Sequence, residues 1–196
     1  MLLDKSVFAS SMAVVDKSGV RPHLEHITIE YDDETKMLSV VGTDAQVMII
    51  NEVAIKDPID QEFCKKHFSE KNKGYMLPDL TDKKRTLVAF GEVNDMLTCN
   101  DTIVSVFDGT YPHWQAVVPT KNLHQALFYC GFNPDYIKKI NKAVGKKGVG
   151  IAGDRPLVSV DENDPKGESL SPHRWNIIDE QERKQTVILM PLRLDF

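Results

Sequence analysis

Apolar residues fall along this chain in short alternating runs, with three stretches of helical spacing set among them. Over 5–16, KSVFASSMAVVD, the apolar residues Val7, Phe8, Met12 and Val15 suit one face of a short helix. Gly19 and Pro22 then break the pattern. EHITIEYDD alternates at Ile27, Ile29 and Tyr31, and a polar turn at Asp32-Asp33-Glu34 leads into KMLSVVGTD and QVMIINEVAI. These three runs predict an antiparallel meander. A second helix is predicted over 58–72, because Asp57-Pro58 offers a start and Phe63, Cys64, His67 and Phe68 share a side. YMLP, TLVAF, DMLTC and TIVSVF read as short strands, and HQALFYC as another. FNPDYIKKINKAV predicts a third helix, with Asn133 as N-cap, Pro134 at the first turn and an apolar stripe of Ile137, Ile140 and Val144. GVGIAG, PLVSV, HRWNIID and QTVILMP read as strands, with a polar loop over 161–172.

One helix followed by a few antiparallel strands therefore recurs about three times. The repeat is one of pattern, not of sequence. The class expected is α+β, with curved antiparallel sheets and helices on one face.

Composition narrows the function. The 196 residues are 41% hydrophobic and 27% charged, an ordinary globular balance able to bury real cores. No apolar run approaches the roughly 20 residues needed to cross a bilayer. The start carries Asp4 and only Lys5 ahead of its apolar part, unlike a signal peptide, so the expected location is cytoplasmic with no membrane partner. The net charge of −5 speaks against a uniformly basic nucleic-acid binder. Bases nonetheless cluster at Lys65-Lys66, Lys71 and Lys73, Lys83-Lys84-Arg85, Lys138-Lys139, Lys142 and Lys146-Lys147. Concentrated basic helix faces can hold a polyanion on one surface, although each cluster read singly is a solvated face.

Catalytic patterns do not emerge. Cys64, Cys99 and Cys130 are far apart and form no C-x-x-C pair, so they read as packed thiols. His23-Leu24-Glu25-His26, placed on a strand, sets His23 and Glu25 on one face and His26 on the other, which is not the helical pair of a zinc protease. Nucleophile elbows, Walker loops and dinucleotide glycine motifs do not occur, and the glycines of KKGVGIAGD flank a strand instead of opening a helix. No cofactor and no metal are expected, and a binding or scaffold protein is favoured over an enzyme.

Five stretches, in order, resemble the bacterial sliding clamp, the beta subunit of DNA polymerase III. VRPHLEHITIEY resembles the strand entry of the clamp's middle domain. GTDAQVMII is similar to its TDG-h-R-L turn, and DGTYPHWQAVVP to its DGRFPDY…LP linker. GFNPDYIKKI resembles the helix start of its last domain, and TVILMPLRL its terminal VVMPMRL. Residues 1–119 resemble the middle clamp domain, and 120–196 the second half of the last one, so the resemblance is to a shortened or divergent member.

The resemblance implies a DNA-clamp-like fold of helix-plus-strands units whose helices line a hole for duplex DNA, holding phosphates without reading bases. It assigns Arg21, His23, Lys65, Lys66, Lys71, Lys138, Lys139 and Lys142 to the DNA-facing side, with Pro22 and His23 standing where two tyrosines follow in the family. It also implies an apolar groove that docks short linear motifs of polymerases and other replication proteins. Its wall would be Leu24, Thr43, Ala45, Val47, Met48, Pro112, Val117, Asn133, Tyr136, Pro156, Met190, Pro191, Leu192, Arg193 and Leu194. Val47 and Ala116 stand where arginines are common in the family, which points to altered peptide specificity.

The function implied first is a non-enzymatic, homo-oligomeric processivity factor on duplex DNA. The alternative is a clamp-fold adaptor or competitor that binds peptides without encircling DNA, and the third an enzyme with an unrecognised site.

Overall fold

Asp4 closes a short strand and opens the first helix in one step, because its carboxylate accepts the Ser6 N–H at 2.8 Å. The computed structural model describes residues 1–80, 85–118, 134–144, 173–178 and 184–189. Strand β1 is Leu2–Asp4 and helix α1 is Lys5–Met12. The helix stops four residues short of the expected end. Beyond it the Asp16 N–H donates to the Leu24 carbonyl at 2.9 Å, outside any helical register. Helix α2, Pro58–Phe68, starts as predicted, with the Asp57 carboxylate accepting the N–H groups of Ile59 and Asp60. It too ends four residues early, before Asn72 turns to positive φ. Helix α3, Pro134–Val144, matches its predicted span.

The predicted meander forms as β2 (Ile27–Asp32), β3 (Met37–Thr43) and β4 (Val47–Ala54). Farther along come β5 (Lys73–Met76), β6 (Leu87–Val93), β7 (Met96–Cys99), β8 (Thr102–Ile103), β9 (Ser105–Thr110), β10 (His173–Ile178) and β11 (Lys184–Leu189). All described pairings are antiparallel, in two sheets of order β1-β6-β7-β8 and β10-β11-β4-β3-β2-β5-β9. The run TIVSVF is thus not one strand. It divides at the buried Val104, its first part ending the small sheet and its second continuing in the large one. The β6–β7 and β7–β8 turns each place an Asn-Asp pair at positive φ, the two-residue geometry that suits strand twist.

Strand alternation gives the large sheet two apolar faces. On one, Leu38, Val40, Ile27 and Ile29 pack with Val7 and Phe8 of α1, while Val47, Ile49, Val187 and Leu189 pack with Val14 and with Ile140 of α3. On the other face Val41, Met48, Ile50 and Ile188 form a separate cluster against Trp114 and Val118. Asn51 ties α1 to the helix-bearing face, its Nδ2 donating at 2.9 Å to the Val7 carbonyl and the Ser10 and Ser11 hydroxyls. β11 pairs with β4 over six positions, so the sheet runs unbroken from strands before residue 119 to strands after it. No helix among the described residues is long and apolar enough to cross a membrane.

Candidate functional site

The link between β3 and β4 is a tight turn fixed by its own side chains. The Thr43 hydroxyl donates to the Val47 carbonyl at 2.9 Å and accepts the Ala45 N–H at 3.0 Å. One carboxylate oxygen of Asp44 accepts the N–H groups of Gln46 and Val47, at 2.9 and 2.8 Å. Ala45 sits at a φ of 72°, an unusual state for a residue with a Cβ. The other Asp44 oxygen accepts a hydrogen bond from the Lys139 ammonium of α3.

That turn forms one wall of a cleft of about 270 Å³. A second wall is the 3-10 turn Pro22–Leu24, and a third the Pro112–Val117 segment, which ends in the 3-10 turn Trp114–Val117. Met48 and Ile188 lie at its floor, on the sheet face that carries neither α1 nor α3. Seven residues assigned to a groove by resemblance line this one cleft: Leu24, Thr43, Ala45, Val47, Met48, Pro112 and Val117. Tyr136 instead packs, partly buried, against the Val14 and Val47 cluster on the helix-bearing face. Asn133, Pro156, Met190, Pro191, Leu192, Arg193 and Leu194 lie outside the described residues.

The cleft also contains residues that sequence reasoning did not single out: Gln46, His113, Trp114 and Ile188. His113 and Trp114 stand inside the DGTYPHWQAVVP stretch, but nothing in its pattern says which side chains turn inward. Ile188 enters only because β11 pairs with β4. Arg21 and His23, assigned to DNA, line the same cleft. His23 belongs to the 3-10 turn and not to a strand, and His26 Nδ1 lies 2.8 Å from the Pro22 carbonyl. The Arg21 guanidinium is held by Asp16 at 3.0 Å, and the Ser18 hydroxyl and N–H keep that carboxyl below the usual range.

The helix lysines differ in their surroundings. Lys65 pairs with Asp33 at 3.1 Å, and Lys66 with Glu92 at 2.6 Å and Asp95 at 3.2 Å. Lys66 and His67 together hold the Glu92 carboxyl down at about 2, and Glu92 in turn raises the Lys66 ammonium. Lys138 reaches Asp135 one turn back at 2.9 Å, and Lys139 reaches Asp44. Lys71 and Lys142 are exposed.

Two cysteines among the described residues are packed away from solvent. Cys64 faces the core, its thiol 3.4 Å from the Met1 sulfur and pushed by burial to about 12, while His67, one turn on, turns to Glu92. Cys99 is likewise buried, its thiol raised to about 11. The cleft itself has room for one or two bulky apolar side chains, with Arg21, His23, Gln46 and His113 supplying its polar lining.

No family model matches the sequence, and no curated protein matches it. Solved structures do resemble the fold. The beta chain of DNA polymerase III from Streptococcus pneumoniae superposes with a TM-score of 0.59 at 12% identity, over 99% of this chain and 64% of that one. The beta subunit from Streptococcus pyogenes gives 0.59 at 13%, over 99% and 66%. The Thermotoga maritima beta subunit gives 0.56 at 14%, over 100% and 65%. The chain spans just under two thirds of the length of these proteins, and the likeness is one of fold: clamp-like helices and antiparallel sheets.

Proposed function

We propose that this chain is a non-enzymatic, clamp-like accessory of DNA replication. Its cleft docks a short apolar segment of a DNA polymerase or another replication protein, and its helix side meets duplex DNA without reading sequence. The observation that carries the docking role is convergence. Residues from 21–24, 43–48, 112–117 and 188 gather around one apolar hollow on the sheet face away from α1 and α3. Anchor-in-pocket recognition needs such an apolar hollow with a polar border. Separate faces also let the two partners bind together.

A second reading, a peptide-binding adaptor that does not encircle DNA, is favoured by a specific observation. Asp33, Glu92, Asp95 and Asp44 already engage Lys65, Lys66 and Lys139, leaving less positive charge for phosphates.

The test is fluorescence anisotropy with a labelled peptide carrying the clamp-binding motif of a DNA polymerase III subunit. Val117 lines the cleft yet is 46% exposed, so Val117→Asp leaves folding intact and places a charge at the mouth. Micromolar binding by the wild type and loss by at least about tenfold in the variant are expected. Equal affinity for both removes the docking assignment. Retention on circular but not linear DNA separates the encircling reading from the adaptor.

A further inference from the structure

Asp44 is buried, its side chain 5% exposed, and it spends one carboxylate oxygen on the two N–H groups that shape the Thr43–Val47 turn. Its other oxygen meets Lys139, which arrives from α3 on the opposite side of the sheet from the cleft floor. A desolvated carboxylate needs a cation beside it, and Lys139 supplies one. The turn it steadies carries Ala45 at positive φ, and Ala45, Gln46 and Val47 all border the cleft. The ammonium lies 95 residues along the chain from the carboxylate it holds.

We propose that Lys139 is a positioning residue of the cleft: by holding Asp44 from the helix side, it fixes the wall against which a docked segment packs. The inference rests on reading the cleft as a docking site. It also gives Lys139 a role other than contact with DNA. Without the ammonium, Asp44 is drawn toward water, its two backbone bonds loosen and the strained Ala45 relaxes. The wall then no longer presents one shape, and binding must first reorder it.

The test uses the full chain and two readouts, amide hydrogen exchange at Gln46 and Val47 by NMR, and affinity for the polymerase-derived peptide by calorimetry. In Lys139→Met, exchange at those two amides is expected to rise about tenfold while remote strand amides keep their rates, and affinity to fall about tenfold. Lys139→Arg, which keeps a cation in reach, is expected to restore both to within about twofold. If Lys139→Met does not fold, Lys139→Gln, which keeps a polar side chain but removes the charge that balances Asp44, takes its place and is expected to shift both readouts in the same direction. Unchanged exchange at Gln46 and Val47, exchange that rises uniformly across the molecule, or unchanged affinity despite faster exchange overturns the proposal. Absence of peptide binding by the wild type defeats the docking reading instead, and the exchange data then still decide whether Lys139 holds the turn.

Discussion

Gly42 in β3 lies directly beneath the Ser11 carbonyl of α1, so close that a Cβ at Gly42 would stand 2.0 Å from that oxygen. The contact sets how near the helix approaches the sheet, and the Asn51 bonds to Ser10 and Ser11 hold it there. Gly42→Ala must push backbone against backbone. A loss of about 3 kcal/mol or more is expected in urea unfolding. A midpoint equal to wild type would show that α1 can lift away without penalty.

Glu92 predicts an acid-sensitive term in stability. Its carboxyl is lowered from 4.5 to about 2 by Lys66 and His67, so the folded state prefers it ionised. The stability it contributes is fully present above the unfolded value and is lost as pH falls through the window from about 4.5 to 2. Thermal midpoints should drop across that window, and Glu92→Gln should flatten part of the drop. Identical pH profiles for both proteins would remove Glu92 as a contributor.

Thiol chemistry follows from burial. With burial pushing Cys64 to about 12 and Cys99 to about 11, both stay protonated at pH 8. Alkylation of the native protein followed by peptide mass mapping is expected to leave both unmodified, while labelling in denaturant modifies both. Equal native and denatured rates at Cys64 would contradict its packed position against Met1.

Salt dependence can rank the helix lysines. Lys142 is exposed, whereas Lys66 meets two carboxylates. On the DNA-facing reading, Lys142→Ala is expected to lower the slope of log affinity against log salt by about one, and Lys66→Ala by less. Slopes untouched by either substitution would take both off the DNA surface.

The local start signals were legible in the sequence, and so was the end of the third helix at Val144, but the ends of the first two were not. Asp57-Pro58 marked the second helix to the residue, because a cap is a short-range event between a carboxylate and the next two or three N–H groups. The ends at Met12 and Phe68 came four residues early, because the Asp16–Leu24 hydrogen bond and the positive φ of Asn72 belong to the surrounding chain path. The meander was read from alternation alone. TIVSVF looked like one strand because alternation cannot show a change of sheet at Val104. For the cleft, resemblance supplied Leu24, Thr43, Ala45, Val47, Met48, Pro112 and Val117. Trp114 and Ile188 join it through contacts that no local pattern encodes, and the tie from Lys139 to Asp44 spans 95 residues.

The pairing of β11 with β4 also sets the order in which the molecule can be completed. Asn51 and Gln185 are bonded partners 134 residues apart. During synthesis Val47–Ala54 therefore waits as a bare strand edge for on the order of ten seconds, given typical ribosomal speeds. A strand edge left open that long invites pairing with the wrong chain. The same delay makes Ile188 a late arrival at the cleft floor. A nascent chain released before that point would have the cleft walls and Met48 but lack Ile188 from the floor, so on the docking reading a partner would meet a finished site only on molecules whose synthesis had passed residue 188.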